Sequence, residues 1–124
     1  MQFNRLRLSS RSQNILGHLK SKTGLTPNIL ARFAICLSLK DPSMPNPDEF
    51  DEKGSEISPN VLFGEHEQMF MALMIKRLQR DHLDPKIYLQ KQLRAHLNRG
   101  AIALWPRIND LSDFYELVKE ERKA

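Results

Sequence analysis

Residues 26–40 read Thr26-Pro27-Asn28-Ile29-Leu30-Ala31-Arg32-Phe33-Ala34-Ile35-Cys36-Leu37-Ser38-Leu39-Lys40, and this stretch decides the fold. Thr26 suits a helix N-cap, and Pro27 suits the first helical position, where its missing N–H would have no partner anyway. Leu30, Phe33, Ala34 and Leu37 then recur at i, i+3, i+4 and i+7, one face of a helix. Ile29, Ile35, Cys36 and Leu39 cover most of the remaining directions. A helix that is apolar nearly all round is buried on more than one side. In a chain of 124 residues this predicts a helix that faces a core and also a subunit interface.

Upstream, Arg5-Leu6-Arg7-Leu8 alternates with the period of a short half-buried strand, Leu6 and Leu8 inward and the arginines outward. Ser10-x-x-Gln13 has the form of a capping box. Ile15, Leu16 and Leu19 form the apolar stripe of a first helix that Gly24 ends. Arg11, His18, Lys20 and Lys22 are left to its solvent side or last turn.

Downstream, Pro42, Pro45, Pro47 and Pro59 exclude a long helix between Asp41 and Asn60. That segment reads as an irregular acidic excursion, with room for a short extended pair on either side of Lys53-Gly54. A third helix runs from about Glu65 to Asp81, and its run Met69–Ile75 predicts deep core. Asp84-Pro85 opens a fourth helix with Leu89, Leu93 and Leu97 inward, Lys91, Arg94 and Arg99 projecting away, and Gly100 as its end. A last short helix follows Pro106, around Ser112–Glu121. The sum is a mainly α fold. It is one compact domain of about five helices over residues 1–124, with a short N-terminal strand and a strand–helix–helix start like that of ribbon-helix-helix proteins.

The charge is unevenly placed. Residues 1–40 hold seven Lys and Arg and no acid, residues 41–67 hold eight acids against Lys53, and residues 68–124 hold eleven bases against seven acids. A soluble surface usually interleaves its signs, so the acid-free start reads as a polyanion footprint. The alternative is that the acidic segment folds back and neutralises it. Arg5, Arg7, Arg11, Lys20, Lys22 and Arg32 are the candidate phosphate contacts, with Arg94 and Arg99 as a second patch. Aromatic content of 7% makes stacking on single-stranded bases secondary.

Several classes are excluded or disfavoured. No apolar run spans a bilayer, and the N-terminus lacks the apolar core of a secretory signal. A single cysteine, Cys36, forms no intrachain disulfide and reads as a packed small hydrophobe. Together these point to the cytoplasm. No glycine-rich phosphate loop and no Cys or His metal spacing is present, so no cofactor, metal or catalytic set is expected. Glu65-His66-Glu67 is the one cluster a metal-dependent nickase would use, but adjacent helical residues diverge by about 100°.

Thr23-Gly24-Leu25-Thr26-Pro27-Asn28, Arg32 and Leu37-Ser38-Leu39 resemble the DndE family of DNA sulfur-modification proteins. So do Gly54-x-Glu56, Leu62-x-Gly64-Glu65 and His96-Leu97-Asn98-Arg99-Gly100, in order over most of the chain. The chain departs from the family pattern at Ser58-Pro59, where members tend to carry Asn-Arg. The resemblance implies a role in phosphorothioation, in which sulfur replaces a non-bridging phosphate oxygen of DNA. It further implies a non-enzymatic helical homotetramer with affinity for duplex or nicked DNA. Such a protein works beside the other Dnd proteins and the cysteine desulfurase that perform the sulfur chemistry. The rival readings are a ribbon-helix-helix repressor, a metal-dependent nickase, and a protein whose acidic segment docks a basic partner.

Overall fold

The computed structural model describes residues 1–108 and 111–123. Strand β1 (Leu6–Arg7) leads into α1 (Ser10–Thr23) and α2 (Pro27–Lys40). The excursion follows, with β2 (Glu56–Ile57) near its end, then the short helix α3 (Pro59–Phe63), α4 (Glu67–Arg80), α5 (Pro85–Leu104) and α6 (Leu111–Lys123). The mainly helical fold expected from periodicity is the fold observed.

Helices α2 and α5 form the centre. Leu30, Ala31, Ala34 and Ile35 of α2 and Leu93, Leu97, Ala101 and Leu104 of α5 are fully or almost fully buried. The crossing is at Gly100. A Cβ there would lie 1.7 Å from the carbonyl oxygen of Ala34, so only glycine lets the two backbones approach. Gly100 is therefore a contact inside α5 rather than its end, and the helix continues to Leu104. Gly24 does end α1, at φ 76°, its N–H bonded to Lys20 O.

The start of α1 also differs from expectation. The N-cap is Ser9, whose hydroxyl accepts from the Ser12 amide at 3.1 Å. Gln13 does not reach back to close a capping box; its Oε1 accepts from the Ser55 amide at 2.6 Å. At α2, Thr26 is the N-cap, without a side-chain bond. The cap position was legible there, but its chemistry was not.

The expected ribbon forms within one chain. β1 pairs antiparallel with β2, Leu6 opposite Ile57 and Arg7 opposite Glu56. A ribbon-helix-helix dimer instead pairs strands from two subunits. The extended pair anticipated around Lys53-Gly54 is replaced by this longer-range pairing, reinforced where Gly54 N donates to Leu8 O at 2.9 Å. Inward Leu6 and Leu8 are buried as their alternation predicts.

Helix α4 begins two residues later than expected, after a 3₁₀ turn at Gly64–His66. It is not deep core all round. Phe70 and Met74 are buried, while Met69 and Leu73 are 51% and 39% exposed. Cys36 on α2 is likewise exposed rather than packed. Both departures lie on the same side of the molecule.

Candidate nucleic-acid interface

The cations singled out by sequence divide into those bound to the protein's own backbone and those left open. Arg94 was expected to project away from α5. Instead its Nε donates to Arg7 O at 2.8 Å, and its terminal nitrogens donate to Phe50 O, at 3.3 Å, and to Asp51 O. Arg99 donates to Ser38 O at 2.7 Å, to Ser38 Oγ at 2.8 Å and to Ser43 O at 2.8 Å, with Asp41 3.5 Å away. The carbonyls at the end of α2 lack helical partners, and a cation there also complements the helix dipole. Arg32 is half-buried, its Nε on Leu62 O at 2.6 Å. These three guanidiniums fasten segments together.

The end of α2 has a further clamp that sequence reasoning missed. Arg77, buried on α4, donates to Leu39 O, Asp41 O and Ser43 O at 2.9, 2.8 and 2.6 Å, and pairs with Asp81 at 3.0 Å. Beneath it, the buried His96 ring meets Ser38 Oγ at 2.8 Å through Nδ1. Arg99 donates into that same oxygen, so His96, Ser38 and Arg99 form one connected polar group at the end of α2. Burial, helped by Arg77 and Arg99, pushes His96 down to about 3, so this histidine is a neutral packing element.

At β1 the acidic segment does fold back. Glu56 lies 2.9 Å from Arg7 and 3.8 Å from Arg5. Asp51 accepts from the Ser10 amide at 3.0 Å and the Ser10 hydroxyl at 2.7 Å, covering the first turn of α1 with a carboxylate. The Ser10 amide, then the Lys53 amide and the Ser10 hydroxyl, hold its carboxyl at about 2. An open groove of about 890 Å³ here is lined by both signs, including Arg5, Arg7, Asp51 and Glu56.

Helix α1 is different. Arg11, Lys20 and Lys22 are exposed, and none forms an ion pair among the described residues. At 100° per residue, Arg11, His18 and Lys22 share one flank of α1 and Lys20 takes the other. Trp105, at the end of α5, completes the first flank. Its ring lies 5.7 Å from that of His18 and 4.7 Å below the Lys22 ammonium, and Arg107 follows, paired with Glu120 at 3.0 Å. Sequence reading passed over Trp105 and Arg107. The four-residue spacing of His18 and Lys22 was the available signal, but their aromatic platform comes from 83 residues away.

The model of the DNA sulphur modification protein DndE matches residues 5–110, which span both clamps, the β1–β2 pair and α1. The chain belongs to the DndE family. A solved structure of DndE from Escherichia coli B7A, described as involved in DNA phosphorothioation modification, is 30% identical with a TM-score of 0.66. The match covers 84% of this chain and 99% of that one. A glycine-to-lysine DndE mutant, also solved, gives 28% identity over the same shares and the same TM-score. A search of curated proteins gave no match. Helix α6 begins just past the residues that the family model matches.

The family motifs now have physical roles. His96, Asn98, Arg99 and Gly100 respectively pack under Ser38, accept the Ser9 amide at 3.0 Å, clamp the end of α2 and let Ala34 approach. Glu65 and His66 stand 3.9 Å apart on the surface. Among the described residues no group of three His, Cys, Asp or Glu could hold a metal ion. Among them, too, no helix is long and apolar enough to cross a membrane.

Proposed function

We propose that this DndE-family chain is a cytoplasmic, non-enzymatic DNA-binding subunit of the phosphorothioation system. It holds the backbone of intact or nicked duplex DNA for the Dnd proteins that carry out the sulfur chemistry, and it acts as a homotetramer. The observation that carries the reading is the α1 surface, where Arg11, Lys20 and Lys22 are exposed without an acidic partner among the described residues. Phosphate binding needs such open cations, because each neutralised phosphate releases condensed counterions. A single subunit offers few of them, so assembly supplies a continuous face. Arg5 joins it when Glu56 lets go, whereas Arg7 then keeps one bond, to Gly54 O at 3.0 Å. Arg94 and Arg99 fall outside the proposed contact set, because all three nitrogens of each already donate within the fold. Arg32 falls outside it because it is half-buried with its Nε on Leu62 O.

Filter binding to nicked and intact duplexes over a salt series tests this. Affinity falls steeply with salt, and Arg11→Gln, Lys20→Gln and Lys22→Gln each lower the log–log slope by about 0.9 per lost contact. Glu56→Gln removes the carboxylate from both strand arginines, freeing Arg5 and leaving Arg7 held by Gly54 O alone, and tightens binding. A flat salt profile, or an α1 triple variant that binds like wild type, overturns the reading.

A further inference from the structure

Helix α4 carries a face that no other described element covers. Met69, Ala72, Leu73, Lys76 and Arg80 are exposed, as is Glu65 in the turn just before the helix. At 100° per residue these six fall on one stripe roughly 100° wide. Alongside it an apolar cleft of about 310 Å³ opens between α4 and α2, lined by Ile29, Phe33, Cys36, Met69 and Phe70. These are the positions whose all-round apolarity called for burial.

The charges on the stripe are ordered. The acid Glu65 stands at the N-terminal end, apolar side chains occupy the middle, and Lys76 and Arg80 close the C-terminal end. Lys76 and Arg80 form no ion pair among the described residues, and the Glu65 side chain is 88% exposed. Such a stripe is complementary to its own reversal. Turned about a two-fold axis between Ala72 and Leu73, a second copy brings Arg80 of the partner subunit opposite Glu65. Lys76 of the partner subunit then lies against Met69, and Leu73 of the partner subunit against Ala72. A parallel alignment would set acid on acid and base on base. A uniformly acidic or basic partner would meet a like charge at one end.

We infer that the outer face of α4 is a self-association surface on which two copies pair antiparallel, Met69 and Leu73 at the centre and Glu65–Arg80 pairs at both ends. A closed two-fold contact requires one patch to complement itself, as this one does. Fourteen residues of helix span about 21 Å, and the α2 edge beside the cleft widens the contact toward the roughly 800 Å² per partner of a stable interface. The inference rests on the self-association in the proposed function and names its surface.

Light scattering on the full chain over a concentration series tests it, with circular dichroism to verify folding of each variant. M69K/L73K shifts the protein to a smaller species. E65R or R80E alone weakens the dissociation constant of the pair about tenfold, and E65R/R80E together restores it to within a few-fold, because the exchanged charges still meet. An assembly unaffected by M69K/L73K overturns this surface while leaving self-association standing. A double reversal that fails to restore association overturns the antiparallel pairing. A wild type that stays monomeric overturns self-association itself, whereas the salt dependence of DNA binding is judged separately.

Discussion

The α5 side and the α1 side of this molecule are both rich in cations, and they use them in opposite ways. On the α5 side, Arg94 and Arg99, joined by Arg77 from α4, place their donors on main-chain oxygens of β1, the excursion and the end of α2. On α1, Arg11 and Lys20 meet no carboxylate or carbonyl at bonding distance among the described residues, and Lys22 rests on a tryptophan ring. Counting positive residues treats the two sides alike. Donor bookkeeping separates them: a guanidinium already holding three carbonyls has most of its five donors, and its orientation, committed to the fold.

The comparison breaks first at Arg77. Arg77→Ala leaves Asp81 and the Leu39 and Asp41 carbonyls without their partner, while Ser43 O keeps Arg99. Breaking such a buried pair costs about 3–5 kcal/mol. The drop is read as a lowered urea midpoint, with DNA affinity per folded molecule unchanged. A smaller effect comes from the histidine under the clamp. Its folded pKa, about 3, lies below its unfolded value of 6.5. The unfolded chain therefore binds the extra proton, and the stability present above pH 6.5 is lost as pH falls toward 3. Between pH 6.5 and 5 the loss is about 2 kcal/mol. His96→Asn, which cannot titrate, flattens that part of the profile while starting from a less stable protein. The smallest effect is the sharpest contrast. The α1 variants that weaken DNA binding leave the melting temperature within the change expected of about 0.5 kcal/mol, the usual range for surface substitutions.

What sequence could reveal follows the same division. The helices α1, α2, α4 and α5 announce themselves through local signals, namely a proline at N1, an apolar period and the Gly24 stop. Gly100 misleads because a glycine that ends a helix and one that lets a second backbone approach are identical in local sequence, and only Ala34 distinguishes them. Arg94 and Arg99 mislead for a related reason. Whether a long cation reaches water or a carbonyl depends on what folds over it, and the excursion that supplies those carbonyls has no periodicity to locate it. Its lone short strand finds its partner some fifty residues upstream, at β1. The acid-free start was legible as a charge pattern, but Glu56 and Asp51 take part of it back. The all-round apolarity of α2 and the apolar run of α4 called for more burial than the core of one chain gives them: Met69 and Leu73 stay exposed, and Met69 shares a cleft with Ile29, Phe33 and Cys36.

Asn98 accepts the amide of Ser9 across 89 residues of chain, and that span sets an order of events during synthesis. Translation proceeds at roughly 5–20 residues per second, so the buried partner of the first strand and helix emerges on the order of ten seconds after they do. Until then α1 and β1 have neither Asn98 to seat them nor Arg94 to bolt the excursion across them. The positively charged segment thus leaves the ribosome before the residues that secure it.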